Sequence, residues 1–420
     1  MIDFIKHAWA LLLGVLLLMV GNGMQGTLLG VRGQIEGFST FEMSLVMSAY
    51  FLGFLGGSRM TPNMIRRVGH VRVFAALASG ISAVLILYPA IAHPAMWVLG
   101  RVAIGFCFCG VYVTAESWLN NAASNENRGQ ALSLYMIVQM VGIVVAQALL
   151  LVADPSGYEL FVIPSILVSI SVAPILLSVS PTPAFDTTKP MNLRKLIQTS
   201  PLGAVGMFLM GGVFAAQFGM SAVFGASVGM TVKQIAIFVA TFYVGATVLQ
   251  YPLGWLSDRM DRRVLVMIVA LIGGGSALVG AAFWDVYYLL LFAAFVIGGM
   301  SNPLYSLLIA HTNDFLEYED MAAASGGLLF INGLGAILGP IATGWIMETF
   351  GPQGFFAVLA FLLVALGSYA GWRMTRRAAP SVEDTQSYTP VMPQASPVAV
   401  EVAQEHAFET AQEEEDMPKT

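Results

Sequence analysis

The chain has 420 residues, of which 57% are hydrophobic and only 10% are charged. Soluble domains average about 25% charged residues, so these proportions exclude a water-soluble protein built around one core. The formal net charge of −6 is no guide to the apolar part, because nine of the 25 acidic residues lie within 381–420.

Twelve apolar runs, each long enough to cross roughly 30 Å of hydrocarbon, are predicted as membrane helices. They cover 8–30, 39–58, 71–91, 95–117, 128–152, 157–179, 201–225, 233–256, 263–284, 287–310, 322–349 and 352–374. The first is too long for a signal peptide and lacks a small-residue cleavage site. It carries Asn22 and Gln25, and the second carries Tyr50. The stretch "GSRMTPNMIRR" then reads as a basic loop.

The fourth run holds two full charges, Arg101 and Glu116. Their separation of 15 residues amounts to about 22 Å along a helix, so they do not neutralise each other. Arg128 opens the fifth run, which also contains Gln139 and Gln147. After the sixth, the longest internal loop, 180–200, divides the membrane part. The expected organisation is a half at 1–180, a linker at 181–200, a half at 201–377 and a tail at 378–420.

In the second half, the seventh run carries Gln217, and the eighth carries Thr241, Tyr243 and Gln250. The loop "GWLSDRMDRR" (254–263) follows. The tenth run places Asn302, Pro303 and Tyr305 in "SNPLYS", and the eleventh carries Asn332. The tail is rich in Pro, Gln and acid with few large apolar residues, the composition of a disordered segment.

Sixteen of the 19 Lys and Arg fall in segments that are cytoplasmic if the N-terminus is inside. The positive-inside rule therefore places both termini in the cytoplasm. Cys107 and Cys109, at i and i+2, point to nearly opposite helix faces and do not bridge. The five histidines show no ligand spacing, and HExxH, GxSxG and phosphate-binding glycine loops are missing. No enzyme activity, cofactor, structural metal or nucleic-acid partner is expected.

Polar marks recur between halves. Gln25 corresponds to Gln217 at an offset of 192, and Gln139-x-x-Gly142 to Asn332-x-x-Gly335 at 193. Gly57 and Gly254, beside the two basic loops, are offset by 197. Repeated six-helix halves are the build of many secondary transporters, with the solute site between halves near the bilayer midplane.

The loop "GWLSDRMDRR" resembles the signature loop of the major facilitator superfamily, matching it at Gly254, Leu256, Asp258, Arg259, Arg262 and Arg263. Asp261 stands where that pattern has Gly, and the first-half copy has Thr61 in place of the Asp. Arg101 followed by Gly105 resembles the family's R-x-x-x-G pattern, and 116–147 resembles the YcaD-like members. "GAILGP" (335–340) resembles an element that drug/proton antiporters carry on helix five, but here it lies on span eleven. The resemblance implies an all-α integral membrane fold of twelve transmembrane helices in two six-helix pseudo-symmetric halves. It implies alternating access in a bacterial inner membrane, with a loop that ties helices in the outward-facing state through Asp258, Arg259, Arg262 and Arg263.

Glu116 and Arg128 lie at adjoining helix ends near Arg59, Arg66 and Arg67 and read as an ion-pair latch; a solvated Glu at the interface is the plainer alternative. Arg101 lies about 9 Å into its helix, and burying it costs at least about 2.5–3.5 kcal/mol on insertion scales. No acid is placed beside it, so either it snorkels outward or an anionic solute supplies the charge. The candidate solute-binding set is Arg101 with Asn22, Gln25, Gln139, Gln217, Tyr243, Asn302, Tyr305 and Asn332. Each uncharged member also reads as a helix–helix hydrogen bond. The reading is a monomeric transporter of a small polar, anionic organic solute, its acidic tail open to a cytoplasmic partner. A non-transporting assembly or sensor protein, or efflux of amphipathic compounds, are the alternatives. Energy coupling stays open, since no cavity carboxylate is evident.

Overall fold

The computed structural model describes residues 2–122, 128–177 and 191–376 together with Tyr388. Among the described residues there are thirteen α-helices and no strand. The first six are α1 (Ile2–Ile35), α2 (Thr40–Val68), α3 (His70–Ala90), α4 (Pro94–Ala122), α5 (Arg128–Leu149) and α6 (Glu159–Leu177). A short α7 (Leu193–Thr199) precedes α8 (Pro201–Ser227), α9 (Val232–Ser257), α10 (Arg262–Ala282), α11 (Tyr287–Asn313), α12 (Tyr318–Phe350) and α13 (Gly354–Met374). All but α7 coincide with the twelve expected runs, and ten are long and apolar enough by composition to cross a membrane. In α5 the described apolar stretch is Ser133–Leu149. α2 is less apolar because its packing face is small: Ser44, Ser48, Gly53 and Gly57 are all buried.

The first basic stretch is not a loop. α2 continues through Pro62 to Val68 and ends at Gly69, whose φ of 84° suits glycine. One residue therefore joins α2 to α3, whereas the second-half copy opens into a turn between Ser257 and Arg262.

The chain divides into two compact units. Unit 1 comprises 1–187, 218–240 and 340–352; unit 2 comprises 188–217, 241–339 and 353–420. Helices in lipid gain nothing from water expulsion against one another, so they associate by close backbone approach. In unit 1, a Cβ on Gly57 would meet the Phe106 carbonyl oxygen at 2.6 Å, and one on Gly105 would strike the carbonyl of Tyr50. Unit 2 repeats this crossing between α9 and α11, where Gly245 and Gly298 lie against the carbonyls of Phe295 and Phe242.

Within unit 1 the segments of α8 and α12 at 218–227 and 340–350 pack onto α1 and α2. Phe41 N–H donates to Glu348 Oε2 at 2.8 Å. A Cβ on Gly30 would meet Ala222 Cβ at 2.8 Å, and one on Gly219 would meet Met47 Cβ at 3.2 Å.

Candidate functional site

Arg101 is buried, with 5% exposure, so it does not snorkel to the outer surface. Its guanidinium lies over the Tyr50 ring, 4.8 Å from the centroid. Nη2 points at Met47 Sδ, 3.8 Å away, and Nε has no hydrogen-bond partner. None of the ion pairs among the described residues includes it. Tyr88 also faces it, and the Tyr88 hydroxyl is buried without a hydrogen bond.

A polar chain runs from this charge into α1. Asn22 Nδ2 donates to the Tyr112 hydroxyl at 2.6 Å, and the Tyr50 hydroxyl interacts with the Asn22 and Tyr112 side chains. Gln25 Nε2 donates to Asn22 Oδ1 at 3.0 Å, leaving Gln25 Oε1 buried and unsatisfied. A buried polar group without a partner costs about 1–3 kcal/mol. Arg101 Nε, Gln25 Oε1 and Tyr88 Oη are three such atoms.

Other expected residues are engaged differently. Gln147 donates to the Gly23 carbonyl at 2.9 Å and accepts from Thr27 Oγ1 at 3.3 Å, tying α5 to α1. Gln139 is buried on α5. In unit 2, Gln217 Oε1 accepts from Ser301 Oγ at 2.9 Å while its Nε2 is left over, as is Asn302 Oδ1. Tyr305 stacks edge-on with Phe214 at 5.9 Å. Asn332 Nδ2 donates to the Met207 carbonyl at 3.0 Å, a bond between α12 and α8. Tyr243 is half-buried on α9.

Glu116 is 3% exposed, so it is not a solvated interfacial acid. Its Oε1 accepts from the Tyr135 hydroxyl at 3.1 Å. A buried carboxyl group is therefore present near the C-terminal end of α4. Arg67 is exposed. The Arg128 side chain lies outside the described residues, and so does the tail except for Tyr388.

The signature loop is a set of ion pairs, of which one, Arg262–Asp314, is buried on both sides. Arg262 donates through Nη1 to Asp314, with both side chains 2% exposed. Its Nε donates to Ser257 Oγ at 3.2 Å, and Nη2 lies 3.7 Å from Asp258 Oδ1. Arg263 clasps Asp261 through Nε (3.1 Å) and Nη2 (2.7 Å). Asp261, the departure from the family pattern, also caps α10 by accepting from the Arg263 backbone N–H. Burial raises the Asp261 carboxyl, but the Arg263 hydrogen bonds and charge outweigh this and hold it below the ordinary carboxylate value. Arg259 stacks over Trp255 at 4.2 Å, an interface anchor. Tyr388, from the tail, donates its backbone N–H to Asp258 Oδ1 at 2.7 Å.

Asp314, Tyr88, Tyr112, Tyr135 and Tyr388 carry no sequence signal for these contacts. Arg262 and Asp314, for example, are 52 positions apart.

A bundle of membrane-length helices with polar groups buried between them fits a transporter. The sequence profile of the Major Facilitator Superfamily matches residues 11–227 and 202–401, and the chain belongs to that family. It is 26% identical over 375 residues to the "uncharacterized MFS-type transporter YcaD" of Escherichia coli strain 536, covering 86% of this chain and 94% of that relative. The same protein from strain UMN026 matches equally. Among solved structures, the nucleoside transporter NupG aligns with a TM-score of 0.69 at 15% identity, over 88% of this chain and 99% of that one. A bacterial homologue of the human lysosomal transporter Spinster aligns with 0.66 at 15% identity, over 96% and 98%. The chain is thus a multi-pass membrane transporter of small solutes, not an enzyme.

Proposed function

We propose that the chain moves a small polar, anionic organic solute by alternating access, with Arg101 as its charge partner. The buried guanidinium without an acidic neighbour carries this reading. A carboxylate, sulfonate or phosphate matches its two-donor face, while Gln25 and Tyr88 offer an acceptor and a hydroxyl to the rest of the solute. In this reading Tyr50 holds the guanidinium by cation–π attraction, and Asn22 and Tyr112 orient Tyr50.

Glu116, buried and bonded by Tyr135, is the group we assign to proton coupling. Asp258 and Arg262, with Arg263 and Asp261, serve as the gate, whose ties break and re-form as the transporter turns over. The test is uptake into reconstituted vesicles of radiolabelled carboxylates, sulfonates and phosphate esters against uncharged sugars, nucleosides and cations, with and without a pH gradient. Saturable uptake confined to anions supports the reading; uptake confined to uncharged solutes or cations overturns it. Glu116→Gln is expected to abolish stimulation by the pH gradient, and stimulation that survives removes Glu116 from coupling.

A further inference from the structure

Tyr388 sits in a slot made for it on unit 2. Its backbone N–H donates to Asp258 Oδ1 at 2.7 Å, and its hydroxyl accepts from Gln250 Nε2 at 2.8 Å. Ser306 on α11 bonds the same phenol. The ring lies over Gly254, where an added Cβ would meet its Cδ1 and Cε1 at 2.7 Å. Any side chain at 254 therefore takes the place of the ring. Burial pushes the Tyr388 phenol above its ordinary pKa, so it stays a neutral hydroxyl at physiological pH. Backbone, ring and hydroxyl are thus each recognised by a different residue of α9, α11 or the turn after α9.

The reach is easily met. Tyr388 lies twelve positions after Arg376, a span of up to about 40 Å when extended. Charge favours the return, since the tail is acidic and Arg259, Arg373 and Arg376 stand next to the ends of α9 and α13.

We propose that the α9–α11 slot formed by Gln250, Gly254, Asp258 and Ser306 is a docking site for the chain's own tail, with Tyr388 as the occupant that ties down Asp258. A docked Tyr388 commits one oxygen of Asp258 to the tail and pins the turn at 258–261. Release leaves that carboxylate to Arg262 and to the helices it meets during turnover. A cytoplasmic partner that captures the acidic tail withdraws Tyr388 and frees the turn. Only this consequence for gating rests on the role given to Asp258 above; the docking itself does not.

The test uses the full-length protein in nanodiscs and needs no solute. With p-benzoylphenylalanine at position 388, irradiation is expected to capture peptides 250–258 or 301–308. Gly254→Leu, which fills the space of the ring, is expected to cut that capture at least tenfold. Hydrogen exchange of backbone amides in 250–262 is expected to quicken about tenfold in Tyr388→Ala. Tyr388→Phe, which keeps the ring and backbone bond but loses the hydroxyl's bonds to Gln250 and Ser306, is expected to quicken it about fivefold, within the range of neutral hydrogen bonds. Exchange in α1–α6 serves as the control for folding. Capture at other sites only, capture indifferent to Gly254→Leu, or exchange in 250–262 unchanged by Tyr388→Ala overturns the proposal.

Discussion

Replacing Arg101 with Gln separates its cost to the empty protein from its value to a bound solute. Insertion scales put the burial cost of an Arg near the helix centre at about 2.5–3.5 kcal/mol. The Tyr50 ring at 4.8 Å returns up to about 2 kcal/mol in a desolvated setting. The Met47 sulfur at 3.8 Å and the orphaned Nε add little to offset it. The difference leaves the empty protein unchanged or stabilised by roughly 1 kcal/mol in Arg101→Gln. With an anion bound, two charge-assisted hydrogen bonds at about 1.5–3 kcal/mol each are lost, which weakens binding by more than about 100-fold. Arg101→Lys is expected to bind poorly as well, because a point charge does not reproduce the planar fork. The assay is ligand-induced thermal stabilisation of the three purified proteins against a panel of carboxylates, sulfonates, phosphates, neutral analogues and cations. Equal stabilisation of wild type and Arg101→Gln by uncharged compounds or cations refutes the reasoning.

Three further outcomes follow from the packing and the ion pairs. Arg262→Met strands Asp314 and is expected to cost about 3–5 kcal/mol, whereas Arg262→Met with Asp314→Leu recovers most of the loss; thermal unfolding of both variants checks this. Gly105→Ala drives a Cβ into the Tyr50 carbonyl on α2 and is expected to lower folded yield and unfolding temperature sharply. Gly275→Ala, with nothing within 4 Å, is expected to be neutral or slightly stabilising in the same measurement. Because Asp261 has a depressed folded-state pKa, its contribution to stability is present above the unfolded value of about 3.9 and is lost as pH falls through the folded value. Asp261→Asn, which still caps α10, is therefore expected to be less stable than wild type at pH 6 and to converge with it only as pH falls through the depressed folded value, read by unfolding temperature against pH.

Length, apolar runs and charge positions were legible directly from the sequence, because crossing a bilayer is a local requirement on about 20 consecutive residues. So were the two marked charges of α4 and the "GWLSDRMDRR" loop, whose residue types stand out against an apolar background. What each charge meets was not legible, because contact depends on helix rotation and on how closely two backbones cross. Gly53, Gly57 and Gly105 draw α2 against α4, and that crossing brings Tyr50 over Arg101. Glu116 is buried beside Tyr135, 19 positions away, where the sequence offered an ion-pair latch with Arg128 or a solvated acid. Asp261 looked like a flaw in a pattern, and the fold makes it a helix cap and a clasp for Arg263. Tyr388 sat unremarked in a polar tail because its slot is assembled from α9 and α11, 138 and 82 positions earlier. Sequence decides which segments enter the membrane; only the tertiary structure decides which polar atoms there are satisfied and which are left for a ligand.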